Sequence, residues 1–270
     1  MKSVILSMDG NIEKEIELPK IFSLRINHKL IHKAFVNLNS HQFQKQGRHN
    51  SAGMNVSAST LNPPTGHGQS RIARIHSGGG GRQGQAGGVA SVRGGRQAHP
   101  PKSEKIIYKK LNKKENKYAL CLAMAATTSK QYVQNRGHKI DKIKHFPIII
   151  SDQIESLTKT SEIKSIITNL NLIDDINRLK SRKIRTGKPS YRGRKNKRGK
   201  SVLIVTKNPK NLFKACGALP GVDVRAVNHL SILDLAPGSQ IGRLTMYSKN
   251  AIEEIAKIKL TKLSVLEKIS

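Results

Sequence analysis

The chain has 270 residues, 36% of them hydrophobic, which is enough to build a sizeable core in part of its length. Its 49 Lys and Arg face only 17 Asp and Glu, so the formal net charge is +32. Such a charge favours association with a polyanion; nucleic acid is the leading class of partner and an anionic membrane surface the second. The membrane is disfavoured because no apolar run approaches the ~18 residues of a spanning helix and no signal peptide is recognisable. We therefore expect a cytoplasmic protein.

Aromatic residues make up 4% of the chain and Trp is absent, which argues against a stacking platform built from a set of aromatic faces. The two cysteines, Cys121 and Cys216, lie far apart and among apolar residues. Neither belongs to a CxxC motif or has a pair of histidines nearby. We predict two buried free thiols and no metal site.

The amino-terminal region predicts a hairpin followed by a helix. The runs at 3–8 and 12–18 flank Asp9-Gly10, and Asp-Gly between two apolar runs is a strong hairpin signal. In "INHKLIHKAFVNL" the apolar residues recur at helical spacing. His28 and His32 are four residues apart on this helix, but no third ligand accompanies them, so we interpret them as surface histidines.

Residues 41–103 differ in composition from both flanking regions. Gly, Ser, Asn, Gln, His and Arg dominate, and no acid occurs between Glu17 and Glu104. This segment cannot bury enough apolar surface to fold alone. The expected division is 1–40, a hairpin and helix of the folded body; 41–103, an extended loop; and 104–270, the rest of the body.

The region 104–270 alternates helices and strands. "YALCLAMAATT" predicts an apolar helix, and the spacing of Asn112 and Glu115 is close to that of a capping box at its start. We expect this helix to end by Gly137. "FPIII" predicts a buried strand, and a helix with Thr160 or Ser161 as its amino cap follows.

The carboxy-terminal part continues this alternation. "SVLIVT", "VDVRAVN" and "RLTMY" predict strands, and the intervening helices include one with Asn208 as cap and Pro209 at the first helical position. A last helix is expected to be capped by Ser248. Repeated strand–helix units favour an α/β class: a three-layer α/β/α domain with a mainly parallel sheet, plus a long non-globular, basic, Gly-rich loop.

Two glycine motifs resemble nucleotide-binding sites without meeting their structural requirements. Gly79, Gly81 and Gly84 form a literal G-x-G-x-x-G, but Gly87 and Gly88 break the helix that should follow. "RGKS" at 198–201 lacks the first Gly of a P-loop and precedes a predicted strand instead of following one. With no recognisable catalytic constellation, we predict neither an enzyme nor a cofactor.

The basic segment, defined as residues 178–200, carries twelve Lys or Arg in 23 residues, no acid, and one aromatic residue, Tyr191. A run of this density between a helix and a strand needs counter-charge, and Arg and Lys pair readily with phosphate. In the loop, glycines permit close approach to a polyanion, while arginines neutralise phosphates along the way. We therefore predict RNA contacts at Arg71, Arg74, Arg82, Arg93, Arg96, His99, Lys102, Arg182, Lys183, Arg185, Lys188, Arg192, Arg194, Lys195, Lys197, Arg198, Lys200 and Arg243.

Four stretches resemble the large-subunit ribosomal proteins of the L-four family in their archaeal and eukaryotic form. They are "GGRQAHPPK" at 94–102, "RGHKID" at 136–141, "RGRKNKRGKSVLIVT" at 192–206 and "LAPGSQIGRLTMYSKNAIEEI" at 235–255. Together with the amino-terminal hairpin they cover nearly the whole chain. The length favours the archaeal form, because the eukaryotic form carries a long carboxy-terminal extension.

The resemblance implies a structural protein of the large ribosomal subunit that binds and stabilises large-subunit (23S-type) rRNA. Its partners would be that rRNA, neighbouring large-subunit proteins and, in the polypeptide exit tunnel, the nascent chain. By position the tip of the tunnel-lining loop would fall at residues 66–76, and we assign to it Gly66, His67, Gly68, Arg71 and Arg74.

A reading from a different class is an α/β RNA-modifying enzyme, such as a methyltransferase, with a basic insertion. Such an enzyme needs a cofactor-binding Gly turn directly after a strand. "LIVTKNP" and "PIIISDQ" both lack it.

Overall fold

A computed structural model of the protein describes residues 1–60, 65–77, 81–180, 183–197 and 199–258. The described residues divide by their internal contacts into two units. The first, called the body, is formed by Met1–Ser40 together with Lys109–Ser270, and the second, called the loop unit, by His41–Tyr108.

The described residues contain eight strands and nine α-helices. The strands are β1 Lys2–Leu6, β2 Ile12–Glu17, β3 Ala58–Ser59, β4 Arg74–Ile75, β5 Ile148–Ile150, β6 Leu203–Thr206, β7 Asp223–Ala226 and β8 Thr245–Ser248. The helices are α1 His28–Asn39, α2 Lys113–Ala126, α3 Lys130–Asn135, α4 Thr160–Asn169, α5 Ile173–Arg178, α6 Lys188–Tyr191, α7 Lys210–Cys216, α8 Ile232–Leu235 and α9 Lys249–Ala256.

Six strands of the body form one sheet in the order β2-β1-β5-β8-β6-β7. Only β1 and β2 pair antiparallel, through a hairpin whose turn contains Asp9 and Gly10 as predicted; the other neighbours are parallel. The central strands β5, β6 and β8 are buried along their whole length. Continuous burial explains why "III" and "LIVT" are unbroken apolar or β-branched runs, since central parallel strands are covered on both faces.

Helices cover both faces of this sheet. Ile148, Ile150 and Ile204 point to one face and pack with residues of α4, α5 and α7. Their neighbours along the strands point to the other face and pack with residues of α2 and α9. A third apolar cluster joins α1, α2 and α8. The predicted three-layer α/β architecture with a mainly parallel sheet is confirmed.

Helix starts are confirmed in part. The Ser248 hydroxyl accepts a hydrogen bond from the Ala251 amide, as expected for the cap of α9. The capping box at Asn112 is wrong: Asn112 flanks α2, but its side chain makes no capping bond, and the Glu115 carboxylate binds Lys33 Nζ of α1 at 2.9 Å. A tertiary ion pair has taken the side chain that a local capping box would use.

Two other helices begin elsewhere than predicted. α4 starts at Thr160 with Lys159 before it, so neither Thr160 nor Ser161 is a cap. α7 starts at Lys210 with Pro209 before it, and the Asn208 backbone amide donates to Glu155 instead. The apolar helix α2 ends at Ala126, which agrees with the expectation that it ends by Gly137.

The expectations of buried free cysteines and of surface histidines on α1 are confirmed. Cys121 and Cys216 are free and buried, one on each face of the sheet, and burial raises the pKa of each thiol to about 11. His28 and His32 are exposed on α1, where His32 Nδ1 lies 2.7 Å from the Ser239 hydroxyl. Within the described ranges, no group of three or more His, Cys, Asp or Glu could hold a metal ion.

The loop unit contains a small antiparallel sheet that was not anticipated from sequence. β3 pairs with β4, and Arg74 also forms a bridge with Ala86. Farther along, two backbone stretches approach closely, because a Cβ on Gly53 would lie 2.4 Å from the Gly95 carbonyl carbon. Gly53 also has φ +83°, so only glycine suits this position. None of the described helices in either unit is long and apolar enough to span a membrane.

Candidate nucleic-acid interface

The basic segment is folded back on itself as a short antiparallel excursion. Ile184 and Asn196 form a bridge, the Arg185 amide donates to the Lys195 carbonyl at 2.7 Å, and the Lys197 amide donates to the Lys183 carbonyl at 3.0 Å. The short helix α6 stands at the far end. Pairing the two stretches holds the cations of 183–185 and 195–197 side by side.

The cations of this segment face solvent. Ten of its twelve Lys and Arg lie within the described residues, and eight of these are exposed while Arg178 and Arg185 are half-buried. Arg182 and Arg198 lie outside the described residues. Tyr191 at the end of α6 is 89% exposed. Of the predicted contacts here, the structure brings Lys183, Arg185, Lys188, Arg192, Arg194, Lys195, Lys197 and Lys200 onto one continuous excursion.

The point where the basic segment leaves the body is fastened by a fully buried carboxylate. Asp175 Oδ2 accepts hydrogen bonds from His138 Nδ1 at 3.0 Å and from the Ser201 hydroxyl. Its Oδ1 accepts from the Lys139 amide at 3.2 Å and from Arg178 Nε at 3.0 Å. Asp175 and Ser201 lie on either side of the segment, so this cluster, called the Asp175 cluster, ties its two ends together.

The electrostatics of the Asp175 cluster follow from its burial and its donors. Burial alone would raise the pKa of Asp175, but the hydrogen bonds from His138, Arg178 and Ser201 outweigh it and hold that pKa well below its usual range. Burial lowers the pKa of His138, with partial compensation from Asp175. A neutral His138 beside an ionised Asp175 is therefore the stable pair at neutral pH.

A second buried network lies at the same point and contains Arg243. Its side chain is 0% exposed, and it donates to the Ser201, Asp234 and Gly221 carbonyls and to the Asp223 carboxylate. Lys200 Nζ also binds Asp223 at 2.7 Å. This burial is at odds with the expectation that Arg243 contacts RNA, and we leave it out of the proposed surface.

The close approach of Leu179 to the turn before β7 requires a glycine at position 221. A Cβ on Gly221 would lie 2.2 Å from the Leu179 side chain, and Gly221 has φ +74°. Because the Gly221 carbonyl accepts from both Arg243 and the Ser201 amide, this turn joins the end of the basic segment to the sheet.

The loop unit presents most of its predicted contacts to solvent. Arg71, Arg82, Arg93, Arg96, His99 and Lys102 are exposed, as are the predicted tip residues Gly66, His67 and Gly68. Arg74 differs, because its guanidinium donates to the Gly84 carbonyl at 2.8 Å and the Ser70 carbonyl at 3.1 Å. Arg74 therefore organises the turn around it.

Sequence reasoning missed Arg48 in this unit. Its amide donates to the Pro101 carbonyl at 3.1 Å and its guanidinium to Gln97 at 2.9 Å, which ties the two ends of the unit together around "GGRQAHPPK". A cation 49 residues from its side-chain partner carries no local signal of this role. The G-x-G-x-x-G glycine Gly79 lies outside the described residues, and residues 85–103, which follow Gly84, form turns, bends and one β-bridge but no helix.

The chain is similar in sequence to known ribosomal proteins. The family model described as "Ribosomal protein L4/L1 family" matches residues 16–258. The protein named "Large ribosomal subunit protein uL4" from Methanococcus aeolicus is 40% identical over 258 residues, covering 95% of this chain and 99% of that protein. The proteins of the same name from Methanocaldococcus jannaschii and Methanoregula boonei are each 38% identical, covering 94% and 93% of this chain and 98% of each relative.

These relatives come from archaea and match over nearly their whole length, which agrees with the archaeal form expected from length. The alternative of an RNA-modifying enzyme finds no support among them. The chain belongs to the ribosomal protein L4/L1 family.

Proposed function

We propose that this protein is a structural, non-catalytic constituent of the large ribosomal subunit in the cytoplasm, where it binds and stabilises large-subunit rRNA beside neighbouring ribosomal proteins. The observation that carries the proposal is the basic segment: exposed Lys and Arg held on a paired excursion, with no acid among its residues. Family membership supports the same conclusion.

The expected mode of binding is phosphate neutralisation. Arg192, Arg194 and Lys195 are exposed near the end of the excursion, where they can reach phosphates. Contacts of this kind position a protein on RNA more than they read its sequence. Tyr191 adds an exposed aromatic face on which a base can stack.

We also propose that the loop unit threads rRNA and that its tip lines the polypeptide exit tunnel and faces the nascent chain. Exposed cations along the unit support this proposal. So do Gly66 and Gly68, which are exposed and have positive φ; a Cβ added to either would meet no atom within 4 Å. In this proposal Arg71 faces RNA, whereas Arg74 holds the shape of the adjoining turn.

The salt dependence of binding tests the main proposal. The triple variant Arg192→Ala, Arg194→Ala, Lys195→Ala should flatten the slope of log affinity against log salt by about 2 to 3, because each neutralised phosphate contributes roughly 0.7 to 0.9. Large-subunit rRNA purified from the source organism serves as the ligand in filter binding.

Lys14→Ala provides the control, because Lys14 is an exposed cation between Glu13 and Glu15 on β2. It should leave the slope unchanged. Equal slopes for wild type and the triple variant would remove the basic segment from the RNA surface.

A further inference from the structure

An open groove of about 640 Å³ lies on the body between α7 and β7, away from the basic segment in sequence. Helix α7 contributes Lys210, Asn211, Phe213 and Lys214 to it; β7 contributes Arg225, and the 3-10 turn that follows β7 contributes His229. Neither sequence reasoning nor the proposed function uses this groove.

The aromatic residue in the groove is turned away from the core. Leu212, Ala215 and Cys216 of α7 are buried against the sheet, whereas Phe213 is 63% exposed. Lys210 lies three residues before Phe213 and four before Lys214, so it neighbours each of them on the helix surface, whereas Phe213 and Lys214 are adjacent in the chain and about 100° apart around the axis. Helical rise places the two lysines about 6 Å apart along the axis, with Phe213 at an intermediate height and to one side of both.

The groove is strongly cationic. No acid is among the described residues that line it, and within the described part of the chain neither Lys210 nor Lys214 has a carboxylate partner. Arg225 Nε donates to the Asp234 carboxylate at 3.1 Å, and no hydrogen bond from its two terminal nitrogens to the described residues is seen. Cations gathered without counter-charge repel one another and favour an anionic ligand.

An added peptide strand is disfavoured as the occupant. β7 is at the edge of the sheet, but it is only four residues long and carries the exposed cation Arg225 in its middle. Short, charged edge strands are the usual protection against strand addition. An aromatic face flanked by lysines is instead the arrangement that binds a single-stranded nucleotide, through base stacking and phosphate neutralisation.

We infer that this groove is a separate RNA-binding site, which takes an unstacked nucleotide of the large-subunit rRNA with its base on the Phe213 ring and its flanking phosphates on Lys210 and Lys214. The inference rests on the proposed function, since it names a second contact with the same RNA. One aromatic face suffices for one base, so the scarcity of aromatic residues is no obstacle.

The absence of Trp from the chain gives a direct test. Phe213→Trp places a single indole in the groove, and Ile12→Trp places one at a 56% exposed position beside the acids of β2 as the matched control. On saturation with purified large-subunit rRNA, acrylamide quenching of the Phe213→Trp variant should fall at least about twofold, because stacking shields the ring. Quenching of the control should not change.

Affinity distinguishes stacking from simple apolar contact. Phe213→Leu keeps an apolar side chain but removes the aromatic face, so it should weaken rRNA binding about fivefold or more, as expected for loss of one stacked base. Phe213→Trp should bind like wild type. Equal affinities of the Phe213→Leu variant and wild type would overturn the inference.

Filter binding separates the possible failures. If the Phe213→Trp variant binds rRNA and its indole stays as accessible as before, the inference is overturned while the proposed function stands. Protection that arises only in assembled subunits, and not with rRNA alone, identifies a protein-docking surface and overturns it as well. If wild type fails to bind rRNA, the proposed function itself fails and this inference with it.

Discussion

Asp175→Asn should destabilise the body by about 3 kcal/mol. The carboxylate is 0% exposed and accepts four hydrogen bonds, from His138, Lys139, Arg178 and Ser201. Asn keeps only one acceptor oxygen: two of the bonds persist to it but lose about 1 kcal/mol each because the acceptor is neutral, and the other two donors face the amide NH2 and lose about 1 kcal/mol or more each, roughly 4 kcal/mol in all. The lower cost of burying an amide offsets about 1 kcal/mol of this loss, and the result agrees with the roughly 3–5 kcal/mol measured when buried pairs are broken.

Thermal unfolding followed by circular dichroism measures this effect. For a domain of this size, each kcal/mol shifts Tm by about 2–4 °C, so the expected decrease is about 6–12 °C. Asp174→Asn is the matched control, because the neighbouring Asp174 lies at the surface in a pair with the exposed Lys142. It should leave Tm almost unchanged.

The same variants test how the basic segment is held. Because the Asp175 cluster ties its two ends together, Asp175→Asn should also speed proteolysis within 183–197 at a temperature where the body is still folded. Equal melting temperatures for Asp175→Asn and Asp174→Asn would refute the reasoning that this buried carboxylate fastens the segment.

Two further predictions concern pH and the loop unit. Burial holds His138 neutral with a lowered pKa, so its contribution to stability should be complete above about pH 6.5 and should be lost as pH falls through that lowered pKa. The variant His138→Asn keeps a donor toward Asp175 but cannot titrate. Between about pH 7 and 5 its Tm should therefore fall less than the Tm of wild type. An equal decrease for both proteins would contradict this assignment. Deleting residues 46–99 and joining the ends with a short linker should leave the Tm of the body nearly unchanged, because the buried apolar clusters contain none of these residues. Sucrose-gradient profiles of cell lysate should nevertheless show poor subunit assembly. Normal subunits and normal translation with the deletion would show that the loop unit is only a linker.

Periodicity and turn chemistry were sufficient for most elements of the body. Asp9-Gly10 specifies its hairpin because the residues that make the turn are adjacent in the chain. The strands β5 and β6 are recognisable because burial on both faces selects unbroken apolar or β-branched runs. The cap of α9 at Ser248 was predictable for the same reason as the hairpin, since its bond to Ala251 spans three residues.

Prediction failed at two helix starts, and at one of them a distant residue competed for the local group. Glu115 has the right spacing for a capping box, but Lys33, 82 residues away, binds its carboxylate. Near α7, Glu155 accepts the Asn208 amide from 53 residues away, and the helix begins two residues after Asn208, at Lys210. For Glu115 the tertiary ion pair has replaced the local bond. The bond at Asn208 uses its backbone amide, whereas a cap would use its side-chain oxygen, so it does not explain the shifted start of α7.

By itself the sequence determined the charge, the basic segment and the basic loop, the order of strands and helices along the chain, and the α/β class. Each of these depends on residues near one another in the chain. Only the tertiary structure decided which cations face solvent. Arg243 and Arg194 were both predicted from sequence to contact RNA. In the structure Arg194 is exposed. Arg243 is buried and donates to Ser201, Gly221 and Asp223. The physical reason is that a guanidinium can be buried only where carbonyls and a carboxylate from distant segments converge to satisfy it, and that convergence is a property of the fold.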